Sequence, residues 1–257
     1  MTGKQLRLKR LFKHSGRVLI VPMDHGVSLG PVPGLQDILT TVKQVIAGGA
    51  DAILVHKGQA RYLDELGEED CELIVHLSAS TDLAPDPNTK ELVSTPEHGV
   101  RLGATAISVH VNLGSANEAS MLTDLGRVAE ACDAWGIPLL AMMYVRDGTK
   151  ASEYEPTKIA HGARVAEELG ADIVKVNYTG SPESFAQVVR AVRIPVVIAG
   201  GPKMGTAEDI LDSIKGALQA GAVGVAVGRN LFQADQPEML ARQIRNLLDQ
   251  HKADKCL

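Results

Sequence analysis

Gly170-Ala171-Asp172-Ile173-Val174-Lys175-Val176-Asn177 is the stretch on which the fold turns, because its opening phrase recurs along the chain. Gly49-Ala50-Asp51-Ala52, Gly103-Ala104-Thr105-Ala106 and Gly221-Ala222-Val223-Gly224 repeat it, each time between an amphipathic stretch and a short apolar run. A glycine just past the end of a helix suits a position where the backbone turns left-handed. The phrase therefore reads as the stop of a helix and the start of a strand.

Working outward from these phrases, eight apolar runs rich in Val, Ile and Leu span 18–23, 52–57, 72–77, 106–111, 139–144, 173–177, 196–200 and 224–228. Near-continuous apolarity is what a parallel sheet covered on both faces requires. Helical periodicity covers 35–46, 119–134, 156–169, 207–218 and 237–248. The glycine phrases precede the second, fourth, sixth and eighth runs, whereas Ile137-Pro138 and Ile194-Pro195 precede the fifth and seventh. Alternating strands and helices make the fold class α/β, and the even/odd echo predicts a single (β/α)8 TIM barrel over residues 1–257, with 1–17 as an N-terminal cap. An open doubly wound sheet is the alternative.

The 257 residues suit one such barrel, and 45% hydrophobic with 22% charged residues is ordinary for a globular domain. A net charge of −5, with basic residues clustered only between Lys4 and Lys13, offers no footprint for nucleic acid, and that cluster reads as a solvated cap. Cys71, Cys132 and Cys256 share neither disulfide nor zinc spacing, and no apolar stretch approaches the roughly 18 residues of a membrane span. These features favour a reducing cytoplasm and no membrane.

In a barrel of this kind chemistry belongs at the C-terminal ends of the strands. Those ends carry Asp24-His25-Gly26, His56-Lys57-Gly58, His76, His110-Val111-Asn112, Tyr144, Lys175 with Asn177, Gly200-Gly201 and Gly228-Arg229. Two lysines compete as nucleophile, and the glycine phrase measures their depth. Lys175 lies five residues after its glycine, level with Leu54, Ser108 and Ala226, whereas Lys57 lies eight after Gly49. Three strand residues are about 10 Å, so Lys175 is expected inside the barrel and Lys57 at the rim, where it would bind substrate. Burial disfavours an ammonium and exposes a neutral amine that can attack a carbonyl, against the alternative of a lysine merely paired with Asp24.

Tyr144 and Asp24 are candidates for proton transfer. Gly200, Gly201 and Lys203 after strand seven, with Gly228 and Arg229 after strand eight, suit a phosphate monoester through free backbone N–H groups and flanking cations. His25, His56, His76 and His110 could suggest a metal site, but acidic ligands to complete one are sparse, so His25 and His110, like Asn177, are expected on substrate hydroxyls and no metal is expected. Residues 78–95 form the longest loop-like stretch, a candidate lid.

With these residues in view, the chain resembles the archaeal-type class I aldolase family, with its DeoC/LacD-like barrel. The resemblance rests on Val21-Pro22-Met23-Asp24-His25-Gly26-Val27, His56-Lys57-Gly58, Ile74-Val75-His76-Leu77-Ser78-Ala79, Ser108-Val109-His110-Val111-Asn112, Ala141-Met142-Met143-Tyr144, Lys175-Val176-Asn177-Tyr178-Thr179-Gly180, Ala199-Gly200-Gly201-Pro202-Lys203 and Gly228-Arg229-Asn230. It implies that Lys175 forms a covalent imine with no separate cofactor, that Tyr144 and Asp24 move protons, and that Gly200, Gly201, Gly228 and Arg229 cradle phosphate. It also implies transaldolase-like C–C bond formation between a fragment of a phosphorylated ketose and L-aspartate semialdehyde, feeding aromatic amino acid synthesis, in a homo-oligomer that is often a decamer.

Fructose-bisphosphate aldolases of the family typically carry a Trp where this chain has Met142, and Glu-His where it has Ser28-Leu29. Both departures speak against the sugar bisphosphate. Tyr144-Val145-Arg146-Asp147-Gly148 also departs from a Tyr-Pro-Arg-Gly pattern, which leaves dihydroxyacetone phosphate as an alternative donor. A non-catalytic sugar-phosphate sensor is the rival from another class.

Overall fold

All four helix-stop glycines take the left-handed backbone, with φ of 94° at Gly49, 83° at Gly103, 94° at Gly170 and 103° at Gly221. The computed structural model describes residues 2–63, 70–201 and 206–251. Its eight barrel strands are β1 (Val18–Pro22), β2 (Ala52–His56), β3 (Glu72–His76), β4 (Ala106–Leu113), β5 (Leu139–Val145), β6 (Ile173–Val176), β7 (Val196–Ala199) and β8 (Gly224–Ala226). Each pairs in parallel with the next, and β1 closes on β8.

The aspartates of the phrase explain its chemistry. Asp51 N donates to Leu19 O while Leu19 N donates to the Asp51 carboxylate at 2.6 Å; Asp172 and Leu139 repeat the exchange, with a carboxylate bond of 2.8 Å. Each aspartate thus ties its strand to the preceding one at the N-terminal mouth, where the ladder would otherwise start without register.

Strand alternation divides the apolar residues into two layers. Ile20, Leu54, Ile74, Leu140, Ile173 and Val197 fill the barrel, while Leu19, Ile53, Val75, Val174 and Ile198 face the surrounding helices. Lys175 shares its face with Ile173 and so points inward.

The N-terminal helix Gly3–Leu11 closes the bottom of the barrel. Leu11 and Phe12 join the interior cluster, so the basic stretch is a plug and not the solvated cap expected from its charge. Its cations are engaged: Lys4 lies 3.1 Å from Asp172, Arg10 lies 3.0 Å from Glu72, and Lys13 pairs with Asp70. Cys71 and Cys132 are buried and unpaired; Cys256 lies outside the described residues.

Residues 78–95 are a small antiparallel hairpin, Ser78–Ala79 against Glu91–Leu92, laid beside the C-terminal mouth. It is tied down at several points. Asn112 Nδ2 donates to Asn88 O at 2.7 Å, Ser28 Oγ to Ser80 O at 3.0 Å, and Val93 N to Leu77 O at 2.9 Å. The segment expected as a lid forms an anchored wall here.

Candidate active site

The C-terminal mouth opens into a cavity of about 350 Å³ lined by Asp24, His25, His110, Tyr144, Lys175, Asn177, Gly200, Gly201, Gly228 and Arg229. Strand ends separated by as many as 205 positions in sequence, from Asp24 to Arg229, therefore converge on one space. Lys57 does not: it begins the short helix Lys57–Ala60, and its ammonium donates to Val93 O, anchoring the hairpin and leaving the cavity to others. Lys203, expected in the cradle, lies outside the described residues.

Lys175 is 6% exposed and sits low in the cavity. On β5 its register partner is Met142, whose Sδ is 3.9 Å from Lys175 Nζ. No described carboxylate forms an ion pair with Nζ, so the reading of Lys175 as one half of a structural pair with Asp24 is not what the geometry shows. Tyr144 stands two residues beyond Met142 on the same face of β5, and both line the cavity with Lys175. The ring packs on His110 at 4.9 Å between centroids, and the Arg146 guanidinium lies 5.3 Å from its centre.

Asp24 follows β1 and leads into the short helix His25–Leu29. Its Oδ2 is 3.7 Å from His76 Nε2 and its Oδ1 is 3.5 Å from His25 Nδ1, without hydrogen-bond geometry. Burial by itself would raise this carboxyl's pKa; His76, His25 and Lys175 outweigh it and hold the group far below the usual carboxylate range. Asp24 is thus an ionised group beside the amine.

The histidines behave in the opposite sense. His76, 2% exposed, has Nδ1 2.7 Å from Ser108 Oγ, and burial pushes its pKa down to about 3. Burial likewise lowers His25, His56 and His110. His110 is oriented by Asn112 Oδ1, 2.9 Å from Nε2. These rings are neutral hydrogen-bonding groups at physiological pH. The described residues hold no cluster of three or more His, Cys, Asp or Glu side chains arranged for a metal ion.

On the far side, backbone replaces side chains. A Cβ on Gly228 would stand 2.7 Å from both His25 Cε1 and Pro22 O, so no larger residue fits. Gly201 takes φ of 69°, and Asn230 Nδ2 fixes the turn by donating to Gly200 O at 2.8 Å. Arg229 Nε is buried without a hydrogen-bond partner among the described residues. Buried donors without partners are costly, and an anion resting on this cradle would satisfy them.

Sequence reasoning missed the upper wall. Ser28 lines the cavity from the short helix His25–Leu29, Lys90 from the hairpin, and Lys150, Glu153 and Tyr154 from a 3-10 helix, Lys150–Tyr154, together with Arg146, which pairs with Glu153. The glycine ruler measures only strand positions, so it could not reach them. Ser28 and Met142, the two points of departure noted above, both line the cavity.

The sequence profile of the DeoC/LacD family aldolases matches residues 18–234. The chain is 45% identical over 247 residues, 96% of its length and 90% of the relative's, to 2-amino-4,5-dihydroxy-6-oxo-7-(phosphonooxy)heptanoate synthase of Streptomyces griseus. It is 44% identical over 248 residues, 96% of this chain and 92% of the other, to 2-amino-3,7-dideoxy-D-threo-hept-6-ulosonate synthase 1 of Archaeoglobus fulgidus. Among solved structures, an archaeal fructose-1,6-bisphosphate aldolase with its catalytic Lys covalently bound to the carbinolamine intermediate superposes with a TM-score of 0.88 at 31% identity, covering 95% of this chain and 99% of that one.

Proposed function

The chain belongs to the DeoC/LacD aldolase family, and from that premise we propose that it makes a carbon–carbon bond through an imine on Lys175, as a 2-amino-3,7-dideoxy-D-threo-hept-6-ulosonate synthase. The donor is 6-deoxy-5-ketofructose 1-phosphate and the acceptor L-aspartate semialdehyde. The observation that carries this reading is a buried lysine without an ion-pair partner among the described residues, at the base of a cavity whose far side is a backbone cradle.

Lys175 Nζ adds to a ketone of the donor to give a carbinolamine, and loss of water leaves an iminium. Asp24, ionised in the same cavity, stabilises that cation, and Tyr144, on the cavity wall, exchanges protons with the oxygens that leave and form. Abstraction of a hydroxyl proton breaks the C–C bond, and the electrons move into the iminium as an enamine. A three-carbon phosphate fragment departs from the side of Gly200, Gly201, Gly228 and Arg229. The enamine carbon then attacks the acceptor aldehyde, the new alkoxide takes a proton, and water releases the product from Lys175. His25, His110 and Asn177 hold hydroxyl groups along this path.

A second reading uses dihydroxyacetone phosphate as donor, and the 45% identity to the Streptomyces griseus relative favours it as a real competitor. Supplying aspartate semialdehyde with each donor in turn and following product mass decides between them. Efficient turnover with dihydroxyacetone phosphate and none with the deoxyketose would overturn the leading reading. We further expect a cytoplasmic homo-oligomer, which light scattering would size. Among the described residues no helix is long and apolar enough to cross a membrane.

A further inference from the structure

Across the barrel mouth from the glycine cradle, the cavity wall carries charge that the mechanism above leaves unused. Three cations line it: Lys90 from the hairpin, and Arg146 and Lys150 beyond β5. Arg146 is already neutralised by Glu153 and stacks on Tyr144, and Lys150 is exposed. Lys90 differs from both. It is partly buried, its ammonium donates to Ser80 Oγ, and it forms no ion pair with a described carboxylate.

The placement of Lys90 is fixed from several sides. Lys57 holds Val93 O and Asn112 holds Asn88 O, so the hairpin positions Lys90 on bonds that reach back to β2 and β4. Burial lowers the Lys90 pKa despite the attraction of Asp24, Asp82 and Asp86, none of which forms an ion pair that would give the ammonium direct counter-charge. An anionic ligand group would supply that charge. Asp24 and Glu153 are the acidic residues among the described lining, and Glu153 shares the wall with Arg146. The wall therefore offers Lys90, a cation without an ion pair among the described residues, together with the Arg146–Glu153 pair, whose carboxylate has lone pairs left to accept from an ammonium, a complement to a zwitterion.

We propose that Lys90 binds the α-carboxylate of the acceptor aldehyde while Glu153 faces its α-ammonium, so that the enzyme selects an amino-acid aldehyde on the wall across from the phosphate cradle. The assignment rests on the acceptor proposed above. It gives the hairpin a purpose: a substrate-binding residue delivered from outside the strand ends.

The test compares three acceptors, L-aspartate semialdehyde, succinate semialdehyde without the amine, and 3-aminopropanal without the carboxylate. Lys90→Met should raise KM for the two carboxylated aldehydes by about 10- to 100-fold, the worth of a charge-assisted hydrogen bond. KM for 3-aminopropanal and the donor concentration that half-saturates borohydride trapping on Lys175 should not move. Lys90→Gln, which keeps a partner for Ser80, should show the same acceptor-selective loss, and Lys90→Arg should recover most of it. Glu153→Gln should raise KM for aspartate semialdehyde and spare succinate semialdehyde. Unchanged KM for the carboxylated acceptors, or a shift in donor half-saturation instead, overturns the proposal. Wild-type enzyme that traps donor yet condenses it with none of the three aldehydes refutes the acceptor reading, and wild-type enzyme that traps nothing refutes the imine.

Discussion

Asp51 and Asp24 are buried carboxylates at opposite ends of one barrel, and their surroundings differ in kind. Asp51, at the N-terminal mouth, accepts from Leu19 N at 2.6 Å and Arg245 Nη1 at 2.7 Å, and lies 2.6 Å from His14 Nδ1. Asp24, at the C-terminal mouth, keeps Oδ1 without a hydrogen-bond partner among the described residues, as do His25 Nδ1, His56 Nδ1 and Arg229 Nε around it. At the N-terminal end every Asp51 contact is made and only Arg245 Nε lacks a hydrogen-bond partner among the described residues, whereas at the C-terminal end four such atoms, from Asp24, His25, His56 and Arg229, stand together. Because each unsatisfied buried group costs roughly 1–3 kcal/mol, the C-terminal end gives up stability to a ligand's advantage.

Substitutions should separate the two ends. Lys175→Met should lower kcat by at least about 10⁴-fold in steady-state assays, since no imine can form, while thermal unfolding stays cooperative. Asp24→Asn should lower kcat by roughly 10²–10⁴-fold while thermal unfolding stays cooperative, with a modest loss of stability because His76, His25 and Lys175 favour its ionised form in the fold. Asp51→Ala should do the reverse, costing about 3–5 kcal/mol in denaturant titrations by removing at once the acceptor of Leu19 N and the partner of Arg245 Nη1 and His14, with activity per folded molecule unchanged. If Asp51→Ala lost activity at full stability, the contrast would collapse.

Acid should also act first at the C-terminal end. His76 titrates at about 3 when folded against an ordinary 6.5, so the unfolded chain binds its proton more readily. Its contribution is fully present above pH 6.5 and is lost as pH falls toward 3, by a few kcal/mol at most. Asp24, depressed below its ordinary 3.8, adds to the loss in the more acid range, whereas the Asp51 carboxyl is raised by burial and opposes it. His76→Gln should flatten the stability profile between pH 6.5 and 3; an unchanged slope would refute this account. The smallest effect is expected for Lys57→Met, under about threefold in donor KM, since its ammonium faces Val93 O.

The barrel was legible because its punctuation is local. A glycine at a left-handed helix stop and an aspartate tying adjacent strands leave marks within four residues, as Gly49 and Asp51 show. Strand limits drifted by one or two residues in both directions: the runs read to Met23 and Asn177 outlast strands that stop at Pro22 and Val176, whereas β4 runs on past 111 to Leu113. Lys175 could be placed by counting because a strand has a fixed rise. Lys57 could not, since its direction is decided by Val93, 36 residues away on another segment. Lys90, Glu153 and Tyr154 were illegible for the same reason, their positions being set by loop anchors and not by a period.

The claim on which the rest depends is the imine. Borohydride added with the phosphorylated ketose, followed by proteolysis and mass spectrometry, should place a reduced donor adduct on the peptide containing Lys175, and the adduct should vanish in Lys175→Met. An adduct on Lys57 or Lys90, or turnover that forms none and stops on addition of a chelator, would contradict the account.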